Sequence, residues 1–373
     1  MQPRDLSDHV PYEAGRGIEE VARELGRDPE EFVKLASNEN PLGPSPAASE
    51  AVRGTAGGVN AYPTAAHTDL TAAVADAWDV ADVQVWLGNG GDGALDYLAR
   101  ATLEPGDEVL VPDPGFSYYA MSARYHHGRV NEYPLSADDD FAMDADVVLD
   151  AYDGERVVYV TSPHNPTGQV MSLDEIERIA AETDEETLVV VDEAYGEYAA
   201  EPSAVSLVGG AASKEAGLSD ATEDRETRDD VAVLRTFSKA YGLAGVRLGY
   251  AVVPADWADA YARVNTPFAA SEIACRAGIA AMGDREHVAE SVETARWARE
   301  YMRDHVDAPV LPSAGNFVLV RVGDGTEVYE ALKRRGVIVR DTSSYGLPEW
   351  VRVTCGTREE TRTAVSELNE VLA

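Results

Sequence analysis

The sequence predicts an α/β protein, with a large part built on a mostly parallel sheet and a smaller α/β domain behind it. Three observations lead there. From about residue 64, short apolar strands alternate with helices, the pattern of βαβ units. Glycine- or proline-rich turns follow several of those strands, where parallel sheets bind ligands. After Pro267 the order changes to two helices, three short strands and a last helix. A chain of 373 residues is long enough to bury more than one core.

The first 45 residues read as an arm. An amphipathic helix over 18–25 stops at Gly26, which can supply a left-handed C-cap. A turn-rich segment runs from Asn38 to Pro46. In the large part, 46–265, strands are expected at 83–87, 108–111, 129–133, 156–161, 187–192, 231–236 and 247–253. Helices are expected at 66–78, 91–103, 116–126, 173–182 and 255–264. The polar, acidic stretch 209–230 reads as a solvated loop or helix. The small domain, 266–373, should hold helices at 269–282, 284–305 and 358–371. Its strands should lie near 316–321, 336–340 and 350–354.

Composition narrows the function. Lys and Arg number 31 against 67 Asp and Glu, a formal net charge of −36. Such a surface excludes general nucleic-acid binding, which needs basic contacts to phosphate. It suits a protein working in concentrated salt, where self-repulsion is screened. That expectation predicts loss of secondary structure by circular dichroism on dilution into low salt. No apolar run reaches membrane-spanning length and the start, MQPRDLSDHV, lacks a basic, then hydrophobic leader, so a cytoplasmic protein is expected. Two cysteines, Cys275 and Cys355, are too few for a metal cluster or a disulfide framework.

Lysine usage marks the chemistry. Only Lys34, Lys214, Lys239 and Lys333 are lysine, against 27 arginines. Lys239 lies in Leu234-Arg235-Thr236-Phe237-Ser238-Lys239, eight residues before Arg247. An amine can lose its proton and attack a carbonyl, whereas guanidinium cannot. A lysine retained here, among hydroxyls and ahead of an arginine, suggests imine formation beside a phosphate site. A surface lysine after a strand is the plainer alternative.

Other motifs carry supporting chemistry. Gly88-Asn89-Gly90-Gly91-Asp92-Gly93 joins a strand to a helix. It matches the dinucleotide pattern, but no convincing ribose-binding acid follows. A general phosphate cradle at Gly90, Gly91 and Asp92 suits it better, and a tight turn is the remaining alternative. Phe116, after Pro112-Asp113-Pro114-Gly115, could cover a planar ring or pack in the core. Ser162-Pro163-His164-Asn165-Pro166 aims the Asn165 amide above the sheet, with His164 more a loop anchor than an acid–base group. Asp192 ends the apolar strand Val189-Val190-Val191. A carboxylate there is costly unless it meets a cation, and it could keep a heteroaromatic nitrogen protonated. Tyr195 could bond a neighbouring phenolic oxygen, and Glu193 should face structural partners. Arg340 and Arg352 end strands in the small domain, either as anion ligands or as paired surface residues.

Together these pieces resemble a fold-type-I, pyridoxal-phosphate-dependent aminotransferase, and most closely the histidinol-phosphate aminotransferases. The likeness covers almost the whole chain. It rests on Pro11-Tyr12, Lys34-Leu35-Ala36-Ser37-Asn38-Glu39-Asn40-Pro41-Leu42-Gly43, Tyr62-Pro63, the Arg235–Ala240 stretch, Gly242-Leu243-Ala244-Gly245-Val246-Arg247, Asn316-Phe317 and Tyr345-Gly346-Leu347-Pro348. The resemblance implies that Lys239 binds pyridoxal 5'-phosphate covalently and moves the proton. It implies that Asp192 pairs with the pyridine nitrogen, that Asn165 and Tyr195 bond the ring oxygen, and that Phe116 stacks on the ring. Gly91, Asp92, Thr236, Ser238 and Arg247 would hold the phosphate, with Tyr62 reaching it from the other subunit of a homodimer. Tyr12, Asn38, Arg340 and Arg352 would surround the substrate, L-histidinol phosphate or 2-oxoglutarate. Gly93 stands where the family often has an acid, and Phe268 lacks the asparagine expected after it.

Rival readings on the same scaffold are an aromatic-amino-acid aminotransferase and an O-phosphothreonine decarboxylase. A cofactor-sensing regulator would need a basic DNA-binding segment that this chain lacks. A nicotinamide dehydrogenase would rest on Gly88–Gly93 alone.

Overall fold

The computed structural model describes residues 6–7, 9, 11–12, 15–64, 67–209 and 227–373. Along them lie twelve strands: β1 (Val33–Lys34), β2 (Val85–Asn89), β3 (Glu108–Asp113), β4 (Arg129–Pro134), β5 (Val157–Thr161), β6 (Leu188–Asp192), β7 (Val231–Thr236), β8 (Leu248–Val252), β9 (Phe317–Arg321), β10 (Val337–Ile338), β11 (Arg340–Asp341) and β12 (Trp350–Thr354). Seven form the main sheet, in the order β2-β8-β7-β6-β5-β3-β4. Strand β8 runs antiparallel to both neighbours, and the other pairs are parallel.

The sequence explains the sheet. Strands β5, β6 and β7 read VVYVT, LVVVD and VAVLRT, and every residue in them is buried. Parallel strands covered on both faces must be apolar almost throughout. Alternate residues divide between two cores. Val158, Val160, Val189, Val191 and Val233 face one side, with Leu70, Ile176, Ile179 and Ala277 from helices Thr68–Trp78, Leu173–Glu182 and Glu272–Gly283. Val157, Tyr159, Val190, Ala232 and Leu234 face the other, with Leu95 and Leu98 from Gly90–Thr102 and Tyr119 from Tyr118–Tyr125. Helix Glu272–Gly283, placed by sequence in the small domain, therefore packs into the core of the main sheet.

A third core lies under the antiparallel sheet β11-β12-β9. Phe317, Val320, Val351 and Val353 pack there against Ala298 and Met302 of helix Arg285–His305 and Leu368 of helix Arg358–Leu372. The arm is pinned to this region, because β1 pairs in parallel with β10.

Several boundaries moved for local reasons. The first expected strand starts two residues late, since Asp82–Gln84 forms a 3-10 turn. The strand expected from 247 starts at Leu248, because Arg247 has φ +57°, outside the extended region. The strand expected over 336–340 divides into β10 and β11, which pair with different partners, β1 and β12. Helices Pro46–Thr55, Ala145–Leu149 and Gly325–Arg334 were not anticipated. The start signal of the first was present: Pro46 opens it and Ser45 Oγ accepts from Ala48 N. Of the acidic stretch 209–230, residues 210–226 lie outside the described residues.

Candidate active site

Register brings the site together. Thr161 lies beside Asp192 at the carboxyl ends of β5 and β6, and Thr236 ends β7 next to them. Above these ends opens a cavity of about 550 Å³, bordered by Lys239, Asp192, Tyr195, Asn165, Arg247 and Arg352 among others. This is the end of a parallel sheet at which ligands bind.

Lys239 sits on the loop after β7, and that loop is held from both sides. Ser238 N donates to Thr236 Oγ1 at 3.1 Å, and Asn40 Nδ2 donates to Ala240 O at 2.9 Å. Gly242 has φ +68° and approaches the arm so closely that a Cβ would lie 2.1 Å from Gly43 O, so only glycine fits. Lys239 Nζ lies 3.5 Å from Ser37 O and 5.4 Å from the centroid of the Tyr195 ring. Burial, and then the charge of Arg352, push its amine down to about 8.

Asp192 is buried and accepts from Tyr119 Oη at 2.6 Å and Ala194 N at 2.9 Å. Burial pushes its carboxyl up to about 6 despite those donors. Its ion-pair cation is missing from the described residues. Phe116 borders the same cavity, edge-on to Tyr119 and Tyr12. Tyr195 Oη accepts from Asn38 Nδ2 at 2.9 Å, and Asn165 Oδ1 accepts from Arg352 Nη1 at 2.5 Å. His164 is buried, pairs through Nδ1 with Thr167 Oγ1 at 2.8 Å, and is pushed down to about 3 by burial. It is neutral at ordinary pH and borders the loop that carries Asn165.

The opposite end gathers groups that could hold an anion. Helix Gly90–Thr102 points its first turn at the cavity, and Asn89 makes no side-chain cap, so N–H groups of that turn stay available. Gly90 has φ +74°, and Gly249 lets β8 press against the turn, where a Cβ would lie 2.4 Å from Gly91 N. Thr236, Ser238 and Arg247 face the same corner. Arg247 Nη2 meets Asp92 Oδ2 at 2.8 Å.

Arg352 differs from most arginines of the chain. It is 4% exposed, yet its hydrogen bonds go to Asn165, Tyr345 and the Ala36 carbonyl, and among the described residues no carboxylate pairs with it and its Nε lacks a partner. A buried cation so placed is costly until an anion arrives. Arg340 bonds Ser344 Oγ at 3.0 Å on the rim, and Tyr12 and Tyr345 complete this side.

The structure thus brings Lys239, Gly91, Asp92, Phe116, Asn165, Asp192, Tyr195, Thr236, Ser238, Arg247, Tyr12, Asn38, Arg340 and Arg352 to one cavity. Tyr62 is not among them: it is 82% exposed and stacks on Phe268 with centroids 4.8 Å apart. Reasoning from sequence missed Tyr119, whose bond to Asp192 depends on how a helix packs over the sheet. It also missed Tyr345 and Thr354 as neighbours of the site.

A lysine amine, a buried acid and a glycine turn at a helix N-terminus around one cavity suit a transaminase, and the comparisons show that family. The model of aminotransferase class I and II matches residues 30–368, and the chain belongs to this family. It is 67% identical over 372 residues to a histidinol-phosphate aminotransferase of Natronomonas pharaonis, covering 100% of both chains. It is 40% identical to one from Akkermansia muciniphila, covering 97% of this chain and 96% of that one. Among solved structures, the histidinol-phosphate aminotransferase of Sinorhizobium meliloti in complex with pyridoxal-5'-phosphate superposes with a TM-score of 0.83 at 28% identity, covering 96% of this chain and 95% of that one. The fold is that of the fold-type-I aminotransferases.

Proposed function

We propose that this chain is a histidinol-phosphate transaminase, exchanging the amino group of L-histidinol phosphate with 2-oxoglutarate, with pyridoxal 5'-phosphate as cofactor. One observation carries the reading: the amine of Lys239, pushed down to about 8, shares a cavity with the buried Arg352, which has no acid partner among the described residues. The full-length likeness to histidinol-phosphate aminotransferases supports the substrate.

The residues present fit the cofactor. Asp192, a buried carboxylate without an ion-pair partner among the described residues, suits a protonated ring nitrogen. The glycine turn and helix N-terminus with Thr236, Ser238 and Arg247 suit its phosphate. Asn165 and Tyr195 would meet the ring oxygen, and Phe116 the ring face. When bound, the cofactor supplies an aldehyde for amines and an electron sink for the bond broken at the substrate carbon.

The protein's own groups do the rest. Asp192 would keep a bound ring nitrogen protonated. The free amine of Lys239 would take the proton from the substrate carbon, and its lowered basicity keeps a usable neutral fraction near pH 8. Arg352, with Arg340 and Tyr12 on the rim, binds the anionic end of either substrate, since a guanidinium fork accepts phosphate or carboxylate. Two substrates that use one site in turn should give ping-pong kinetics.

The same reading makes the active unit a cytoplasmic homodimer, with Tyr62 reaching the partner's phosphate site. Its exposure outside the cavity supports that role. It also divides the chain into an arm (1–45), a large part (46–265) and a small part (266–373), whose first helix, Glu272–Gly283, packs on the large part's sheet. Among the described residues no helix is long and apolar enough to cross a membrane.

The test is the visible spectrum of cofactor-loaded protein in concentrated KCl, before and after L-histidinol phosphate. The expected result is loss of the visible band, restored by 2-oxoglutarate. A band that ignores histidinol phosphate but answers to aromatic amino acids or O-phosphothreonine would assign the substrate to a rival reading. A folded, cofactor-supplied protein with no band would overturn the role of Lys239.

A further inference from the structure

Thr354 stands two residues after Arg352 on β12, so both side chains leave the same face of that strand. Arg352 reaches Asn165. Thr354 reaches Asn38, and the pattern of hydrogen bonds there is closed. Asn38 N donates to Thr354 Oγ1 at 2.9 Å, so that oxygen is an acceptor and its own proton is free to go elsewhere. It donates to Asn38 Oδ1 at 3.1 Å. With its oxygen end used, Asn38 presents its NH2 end to Tyr195 Oη at 2.9 Å. The reversed amide would leave the buried Thr354 hydroxyl proton facing a second donor, which is costly. Asn38 is itself held in the left-handed region, φ +53°, and Asn316 Nδ2 bonds its carbonyl at 3.0 Å. Asn38 is 1% exposed and Thr354 4%.

We propose that Thr354 and Asn38 are positioning residues that set the direction of the Tyr195 hydroxyl. Tyr195 must accept from Asn38, so its own proton points away, free to be donated into the cavity. Burial pushes the Tyr195 phenol up to about 12, so the proton is present at working pH. Asn38 then acts through Tyr195 rather than on the substrate, and the small sheet orders both proposed partners of the ring oxygen from one face of one strand. The inference rests on the cofactor reading above.

A donor to the ring oxygen stabilises negative charge on it, so the adjoining Lys239 nitrogen releases its proton at lower pH. The experiment is a pH titration of the visible band in cofactor-loaded protein, without substrate. The charged and titratable groups facing Tyr195 include Arg352, Tyr345, Asp192, Lys239, Tyr12 and Tyr198, those acting on Lys239 also include Glu39 and Asp92, and a change at Thr354 alters none of their charges. Thr354→Val, which keeps the shape and removes the hydroxyl, should raise the midpoint by about half to one unit. Thr354→Ser should restore the wild-type midpoint, and Thr354→Val should add nothing in a Tyr195→Phe background. A folded Thr354→Val with an unmoved midpoint, or an equal shift in Tyr195→Phe, overturns the relay. If Thr354→Val does not fold, Asn38→Ser decides: a raised midpoint supports the relay and an unmoved one overturns it. A wild-type protein with no visible band would overturn the cofactor reading and the relay with it, whereas a normal wild-type band with unmoved variants overturns the relay alone.

Discussion

At the carboxyl ends of β6 and β7 charge lies on both sides of the sheet, and the two sides treat it differently. On one, Arg235 Nη1 meets Glu193 Oε2 at 2.6 Å and its Nη2 meets Glu197 Oε1 at 2.5 Å, with Trp78 stacked 4.7 Å from the guanidinium carbon. Glu193 also accepts from Ser203 and from Ala204 N. On the other face, one residue along each strand, Asp192 and Thr236 open into the cavity with Lys239 and Arg352. There, among the described residues, Asp192 has no cation and Arg352 has no acid. Arg235 is matched where it holds the fold, whereas of the cavity's charges Arg247 and Asp92 pair and the more deeply buried Asp192 and Arg352 do not, a state tolerated when something else supplies the counter-charge.

Lys239→Ala should separate the faces most sharply. Transamination should fall by about ten thousandfold, and the borohydride-sensitive band should vanish while circular dichroism is unchanged. Retained turnover would remove Lys239 from the chemistry. Arg235→Met tests the matched face. Stranding Glu193 and Glu197 should cost about 3–5 kcal/mol of stability, read by denaturant titration at constant salt, while kcat/KM per folded enzyme stays within about threefold. A stable variant with lost activity would show that the two faces are not distinct in kind.

Arg352→Ala should lower kcat/KM for both substrates by about 10- to 100-fold, the worth of one or two charge-assisted bonds, and leave the band in place. An unchanged value for both would take Arg352 out of the substrate site. The smallest effect concerns proton balance. Burial and Arg352 disfavour the charged amine, so cofactor capture by the apoprotein should quicken as pH rises through about 8. Arg352→Ala removes a positive neighbour and should move that midpoint upward. A downward shift would contradict the charge coupling.

How much could be read in advance differs between these faces. Asp192 was legible because a carboxylate closing an unbroken valine run has few structural excuses. Lys239 was legible because the chain otherwise uses arginine. Arg235 lies in the same motif, but nothing local tells whether its fork is matched, since Glu197 comes from a turn 38 residues earlier. Tyr119 and Thr354 look like ordinary residues of a helix and a strand, and their roles come from packing across the sheet and from β12. Helix Pro46–Thr55 was missed since Pro-Ala-Ala-Ser-Glu-Ala carries little apolar periodicity; it is held by tertiary contact with helix Glu272–Gly283. The two-residue strand β1 exists only because β10 lies beside it.

The sequence by itself determined the class of fold and the order of most strands, and it singled out Lys239 as the candidate amine, because apolar periodicity and residue chemistry are local properties of the chain. Tertiary structure decided which charges are matched, which backbone groups force a left-handed residue such as Arg247 or Asn38, and which way a buried hydroxyl such as Tyr195 can point. Those depend on partners dozens to hundreds of residues away, and a hydrogen bond or counter-ion acts only across a few ångströms that folding alone creates.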